Sequence, residues 1–352
     1  MEINRKSNNF DLLRLLFSLI VAIVHCAELS KVDFLSGVGR YLSSGVAVDS
    51  FFVISGFLIF MSYDSSKSLS SYASKRLRRI FPGYIAVIII CAIFLYAISS
   101  KSFFEYANTE LFKYISFNAL TLNFIHPTLP GVFEGNQIHA VNGALWTIKI
   151  EVMFYITVPF IAFLISKLNK ALVLSIIYAL SITYSFVLLW LYSNSGAEIY
   201  IKLERQLPGQ LAFFISGAAV YYFYDLFHKN NTQLLTLSFL IICFHKYIID
   251  IHVFYPISLA VIVLYFANIF KYLGNFGKFG DLSFGVYIWH FPILQVFVFY
   301  NLFVNPVIGV GLFLTTIIFA SFLSWHLIEK RYLYKSSHYI ILEQDSITKK
   351  SS

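Results

Sequence analysis

The chain has 352 residues, of which 58% are hydrophobic and only 12% charged, and it carries a formal net charge of +8. With a mean hydropathy of +0.73, this composition excludes an ordinary soluble globular domain. It predicts an all-α fold, a polytopic transmembrane helical bundle. The positive charge calls for no nucleic-acid partner, because most Lys and Arg residues fall in the short segments between apolar runs, where membrane topology places them.

Ten apolar runs are read as spans, at about 10–28, 44–63, 80–99, 145–166, 171–192, 208–226, 233–249, 253–270, 281–303 and 307–327. The boundary between the seventh and eighth, at 246–252, is short and partly apolar. With the N-terminus placed in the cytoplasm, seventeen Lys and Arg residues fall inside and seven outside. Both termini are therefore expected to be cytoplasmic and the span count even.

The first run holds Arg14 and, eleven residues later, His25. On an α-helix this is about 16 Å of rise with both side chains on nearly the same face. An ionisable group inside a bilayer costs a few kcal/mol or more, which makes it a functional candidate. The alternative is anchoring, with Arg14 snorkelling to the inner interface and His25 at the outer one. No small-residue cleavage site follows, so a span is expected rather than a cleaved signal peptide.

The second run opens with Gly45, Ala47, Asp49, Ser55 and Gly56. Its small residues permit close approach of another helix. Asp49 is either an interfacial acid or a functional one with a partner such as Arg14, a histidine or water. The loop at 64–79 carries Lys75, Arg76, Arg78 and Arg79. Arg76 and Arg79 share a helical face, and arginine forks suit phosphate oxygens. Anchoring to anionic lipid is the other reading.

The external connection at 100–144 contains Pro127, Pro130, Gly131, Gly135 and Gly143 with His126 and His139. A connection this long is either functional or loose. Its part at 111–124 is apolar enough to lie on the membrane or dip into it. Trp146 to Glu151 opens the fourth run, and Glu151 is a second intramembrane acid, either functional or bonded to a neighbouring span. In the ninth run Ser283, Tyr287 and His290 step by four and three, so they line one helical face beside Asp281 and Pro292. Such a stripe faces protein or a water-filled cavity. His326 and Glu329 sit at the cytoplasmic end of the tenth.

There is no P-loop, no dinucleotide-type glycine fingerprint and no cysteine-rich zinc pattern. His245 and His252 lack a third ligand, so no metal site is expected. Cys26, Cys91 and Cys243 suggest no disulfide framework. One transmembrane domain is expected over 1–335, with a disordered cytoplasmic tail at 336–352.

Five of these segments, taken in order, resemble the acyltransferase-3 family of bacterial integral-membrane acyltransferases that modify surface glycans. Arg14 with ten residues before His25 resembles the family's Arg/Lys-x10-His motif. Phe51-Phe52-Val53-Ile54-Ser55-Gly56-Phe57 is similar to its Phe-Phe-x-x-Ser-Gly-Phe segment, and Arg76-Leu77-Arg78-Arg79-Ile80-Phe81-Pro82 to its Arg-x-x-Arg-x-x-Pro loop. Trp146-Thr147 through Glu151 and Ser283 through Pro292 resemble two further segments. Each alone is weak, but five in order over about 300 residues is a specific pattern. The departures are Arg331 in place of a common Pro, Phe284 in place of Tyr, and Val152 in place of a second acid. The SGNH-type domain of some members is not evident.

The resemblance implies transfer of an acyl group, most often acetyl, from cytoplasmic acetyl-CoA to a hydroxyl of a surface polysaccharide or lipid-linked sugar. The location implied is the bacterial inner membrane. No permanently bound cofactor is implied, since acetyl-CoA is a substrate. His25 is the expected general base, because imidazole titrates near neutral pH. Arg14 lies on the donor's path, and Glu151, Asp49 and His290 are candidates for orienting His25 or the acceptor. Arg76 and Arg79, with Arg78 and Lys75, are expected to hold the CoA phosphates, and membrane lipid is the other expected partner. The rival reading is a glycan or lipid transporter without transfer activity, since intramembrane polar residues also mark transport paths.

Overall fold

The computed structural model describes residues 8–248, 252–335 and 337–342. Among these residues every regular element is helical. The main helices are α1 (Phe10–Ser30), α2 (Ser44–Asp64), α3 (Leu69–Phe94), α4 (Thr109–Ala119), α5 (Trp146–Lys167), α6 (Lys170–Ser195), α7 (Leu207–Tyr222), α8 (Asn231–Tyr247), α9 (Tyr255–Asn268), α10 (Leu282–Phe299) and α11 (Pro306–Ser324). A 3-10 turn prolongs α3 to Ile98, and a π-helical turn at Trp325–Glu329 follows α11.

Seven helices among the described residues are long and apolar enough to cross a membrane, namely α1, α2, α3, α5, α6, α10 and α11 with their extensions. Each coincides with one of the ten expected spans. The other three expected spans form α7, α8 and α9, of 16, 17 and 14 residues. Prolines sit inside α3, α5 and α10 as Pro82, Pro159 and Pro292, as membrane helices tolerate when neighbouring groups satisfy the freed carbonyls. Of the tail expected from 336, residues 337–342 are described. Residues 338–342 are helical and Tyr339 is buried, because its ring packs on Trp325 with centroids 5.6 Å apart. Residues 343–352 of the expected tail lie outside the described residues.

The chain divides into two compact units. Of the described residues, the first unit takes 8–10, Val48–Ala73 and Ile150–Gly274, and the second takes Asp11–Ala47, Ser74–Lys149 and 275–342.

In the first unit, α2 and α7 meet backbone to backbone. A Cβ on Gly56 would overlap the Phe214 carbonyl, and one on Gly217 would overlap the Val53 carbonyl. This reciprocal contact is why α2 needs a small residue at 56. Phe154 fills the neighbouring space, stacked on Phe214 at 4.1 Å and edge-on to Phe52 at 5.2 Å. Gly217→Ala forces backbone apart from backbone and is expected to destabilise by about 1–3 kcal/mol. A lowered melting temperature in detergent would register it, and an unchanged melt would contradict the contact.

In the second unit, the Asp281 side chain caps α10 by accepting the Ser283 amide at 3.0 Å. Gly280 precedes it with φ of +96°, and a Cβ there would enter the Trp325 indole. Only glycine meets both demands.

Candidate active site

Two polar clusters line α1 and α10 in the second unit, one at the start of the helix pair and one further along it. In the latter His25 Nδ1 lies 3.0 Å from His290 Nε2, and the rings stack with centroids 5.2 Å apart. His290 is fully buried and His25 half-buried. His290 Nδ1 faces the carbonyls of Tyr287 at 2.7 Å and Val286 at 3.3 Å. A carbonyl only accepts, so His290 Nδ1 carries the hydrogen and donates. In the neutral pair His290 Nε2 is then bare and accepts from His25 Nδ1–H. His25 Nε2 is left as a lone pair, the tautomer a general base requires.

The α10 stripe supports this pair. The Tyr287 hydroxyl lies 2.7 Å from Thr147 Oγ1, which also donates to the Ala144 carbonyl at 3.2 Å. Asn142 donates to the Ile288 carbonyl at 2.8 Å, and Gln295 donates to the carbonyls of Ile138 and Ala140 at 2.6 and 2.7 Å. Asn136 donates to Gln295 Oε1 at 2.9 Å. The connection at 136–147 is thereby fastened along α10 and is not loose. The Phe291 ring stands edge-on to His25 at 5.7 Å. A Cβ on Gly143 would lie 2.7 Å from the tip of that ring. Gly143→Ala is therefore expected to push Phe291 onto His25 and to slow turnover by roughly 10–100-fold. A rate assay paired with a melting curve checks it, the expected result being a slowed rate at an unchanged melt.

At the start of the helix pair Asp281 is 3% exposed and pairs with Arg79, while Arg14 Nη1 lies 3.6 Å away. Arg14 also donates to the Tyr339 hydroxyl at 3.2 Å, and Arg79 lies over the Tyr339 ring at 5.0 Å. Burial pushes the Tyr339 phenol up to about 12, so it stays protonated. Asp11 meets His338 at 3.0 Å. Arg78 donates to the Tyr332 carbonyl at 3.1 Å and lies over the Tyr334 ring at 4.6 Å. Buried Glu329 accepts from Ser324 at 2.7 Å.

The predicted site residues thus divide. His25 and His290 come together, and so do Arg14 and Arg79 through Asp281. Arg76 and Lys75 are half-buried on the same helix, and Arg78 is exposed. Asp49 and Glu151 belong to the first unit. There Asp49 lies within electrostatic reach of Glu204, and Glu151 accepts from Tyr155 one helical turn on at 2.7 Å. Sequence reasoning missed Gln295, Asn136, Asn142 and Tyr339. A lone amide in an apolar helix demands partners, so Gln295 carried a usable signal, whereas Tyr339 in a polar tail carried none. Among the described residues no group of three or more His, Cys, Asp or Glu side chains is arranged to hold a metal ion.

The family described as an acyltransferase domain, acyltransferase 3, matches residues 7–325. The chain belongs to the acyltransferase-3 family. It is thus an acyltransferase and an integral membrane protein. It is similar to an O-acetyl transferase of Shigella phage Sf6, 29% identical over 355 residues, which covers 96% of this chain and 99% of that one. It is also similar to nodulation protein 10 of Rhizobium leguminosarum bv. viciae, 31% identical over 161 residues, 43% of each chain. No solved structure matches it. The Arg14–His25, Arg76–Pro82 and Ser283–Pro292 segments that carry the family resemblance supply Arg14, His25, Arg79 and His290 to the two clusters of this acyltransferase.

Proposed function

We propose that this acyltransferase moves an acetyl group from cytoplasmic acetyl-CoA to a hydroxyl of a surface polysaccharide or lipid-linked sugar, in the bacterial inner membrane, with His25 as general base. The observation that carries the reading is the contact of His25 Nδ1 with His290 Nε2 at 3.0 Å, with His290 Nδ1 on the Tyr287 carbonyl, from which a lone pair on His25 Nε2 follows. The relative from Shigella phage Sf6, matched over nearly its whole length, supports the acetyl group and the oxygen acceptor.

Coenzyme A is polyanionic, and its phosphates suit the Lys75, Arg76, Arg78 and Arg79 cluster. Asp281 fixes the direction of Arg79 within it. The extended pantetheine arm then runs along α1 from Arg14 toward His25, a rise of about 16 Å. His25 Nε2 takes the proton of the sugar hydroxyl as that oxygen attacks the thioester carbonyl carbon. The tetrahedral intermediate collapses with cleavage of the C–S bond, and the departing thiolate takes the proton back from His25. The products are the acetyl ester and free CoA thiol. Neutral His290 serves as a positioning residue, since its Nε2 lone pair holds the His25 ring and stabilises the imidazolium formed in the first step.

The test is mass spectrometry of surface glycan from a strain lacking the gene, complemented with wild type or with His25→Ala at equal protein level. One acetyl increment with wild type and none with His25→Ala is expected. Loss of the glycan itself on deletion would overturn the reading in favour of transport.

A further inference from the structure

The segment 102–126 leaves the end of α3 and enters the long connection that the span pattern places outside the membrane. Its contacts measure its depth against α3. The Tyr106 hydroxyl donates to the Ala92 carbonyl at 2.6 Å, six residues back from the end of the span Leu69–Ile98. That is about 9 Å inward. The Tyr84 hydroxyl donates to the Asn118 carbonyl at 2.7 Å, and Tyr84 lies fourteen residues back from the end of Leu69–Ile98, about 21 Å inward. Helix side chains tilt toward the helix N-terminus, which for Tyr84 is away from the end where the segment leaves α3. The C-terminal end of α4 therefore lies at the depth of the centre of α3 or beyond it.

Apart from its exposed Glu110–Lys113 ion pair, α4 turns polar groups inward and leaves apolar ones exposed, the inverse of a helix in water. Tyr114 and Asn118 are buried on its inner face, each 2% exposed. Phe112 and, just past the helix end, Leu120 face outward, 70% and 68% exposed, while Phe124 in the following turn is 61% exposed with the Lys149 ammonium 4.6 Å from its ring. Ile93 and Phe94 of α3, a helix long and apolar enough to cross the membrane, are exposed as well. Backbone groups at the turn are satisfied from within. The amides of Leu120, Thr121, Leu122 and Ile125 donate to Ser116, Asn118, Phe117 and Leu122 carbonyls at 2.8–3.2 Å. The Asn118 amide takes up the carbonyls of Tyr114 and His126, each at 2.8 Å. Hydrocarbon imposes that requirement on any backbone within it, and water does not.

We propose that 102–126 is a re-entrant helical hairpin that dips into the bilayer beside α3 and turns back, with lipid acyl chains covering its Phe112–Leu120 face. Lys101 precedes the segment, and Lys113 within it pairs with Glu110 at 2.8 Å.

The experiment uses the full chain in lipid nanodiscs, with exposed Cys243 replaced by serine. A nitroxide is attached at Phe112→Cys, Leu120→Cys or, as an aqueous control, Glu134→Cys. The first two positions are exposed, so the label displaces no packing. Collisions with apolar oxygen and with a water-soluble nickel chelate are then compared. Oxygen is expected to dominate at 112 and more strongly at 120, and the ratio is expected to reverse at 134. Dominance of the chelate at 112 and 120 would make the segment an aqueous loop and overturn the proposal. Exclusion of both probes there would mean that protein, such as a second copy, covers the face, and would overturn it equally. Neither readout depends on the transfer chemistry.

Discussion

His25→Gln is expected to lower kcat about 10²–10⁴-fold, the usual contribution of a positioned general base. Glutamine keeps a polar group of similar length beside His290 but offers no basic nitrogen. Because His25 is half-buried at the rim of the cluster, the protein is expected to fold to normal yield. The KM for acetyl-CoA is expected to hold, since the CoA phosphates suit the arginine cluster near the start of α1. His290→Leu is the companion measurement. It removes the acceptor that selects the His25 tautomer and is expected to cost about 10–100-fold in kcat, in line with other orienting partners. A double variant no slower than His25→Gln alone would show that the two rings act as one unit. Wild-type turnover in His25→Gln would remove His25 from the chemistry, and wild-type turnover in the His290 variant would remove the orienting role of His290.

The second large effect concerns stability. Asp281→Asn retains the cap of α10, because asparagine caps helices as well as aspartate does, but it withdraws the carboxylate that Arg79 and Arg14 share. Breaking a buried pair from one side costs roughly 3–5 kcal/mol, because charge is left behind without its counterion. A steep fall in melting temperature or in membrane-inserted yield is expected. Arg79→Met in the same chain is expected to restore part of the loss, since it removes one of the stranded cations. If Asp281→Asn melts as wild type does, the ion pair contributes nothing and Arg79 is free to serve the donor phosphates alone.

The sequence made the helices legible because spans are long and apolar, and it made the faces legible because helical spacing is regular. Arg14 and His25 on one side of α1, and Tyr287 and His290 on one side of α10, follow from spacing alone. The pairing of those faces does not follow. His25 and His290 are separated by 265 residues, and no periodicity reports which two helices meet. Asp281 was visible as a polar residue at the head of the ninth span, yet its role as the shared counterion of two arginines emerges only in three dimensions. Gly56 was legible as a close-approach residue, whereas Gly45 in the same motif meets only Ser43 Oγ. Small residues mark where a helix can be approached, and the partner's own geometry decides where it is. The connection at 100–144 was the least legible, because its apolar residues suit the membrane surface and the membrane interior equally and only the Tyr84 and Tyr106 hydrogen bonds distinguish them.

Arg14 meets Asp281 near the start of both α1 and α10, and His25 meets His290 later in both. Two helices joined in that order run in the same direction, and for membrane spans this is a parity condition. An odd number of crossings must separate them. Four long helices, α2, α3, α5 and α6, lie between, and if each crosses once they supply an even number. A hairpin at α4 that enters and leaves by one face adds none. One or all three of the short helices α7, α8 and α9 must then cross, and α11 returns the chain after α10. On the even span count expected from the Lys and Arg placement, the two ends of this acyltransferase domain would face one compartment.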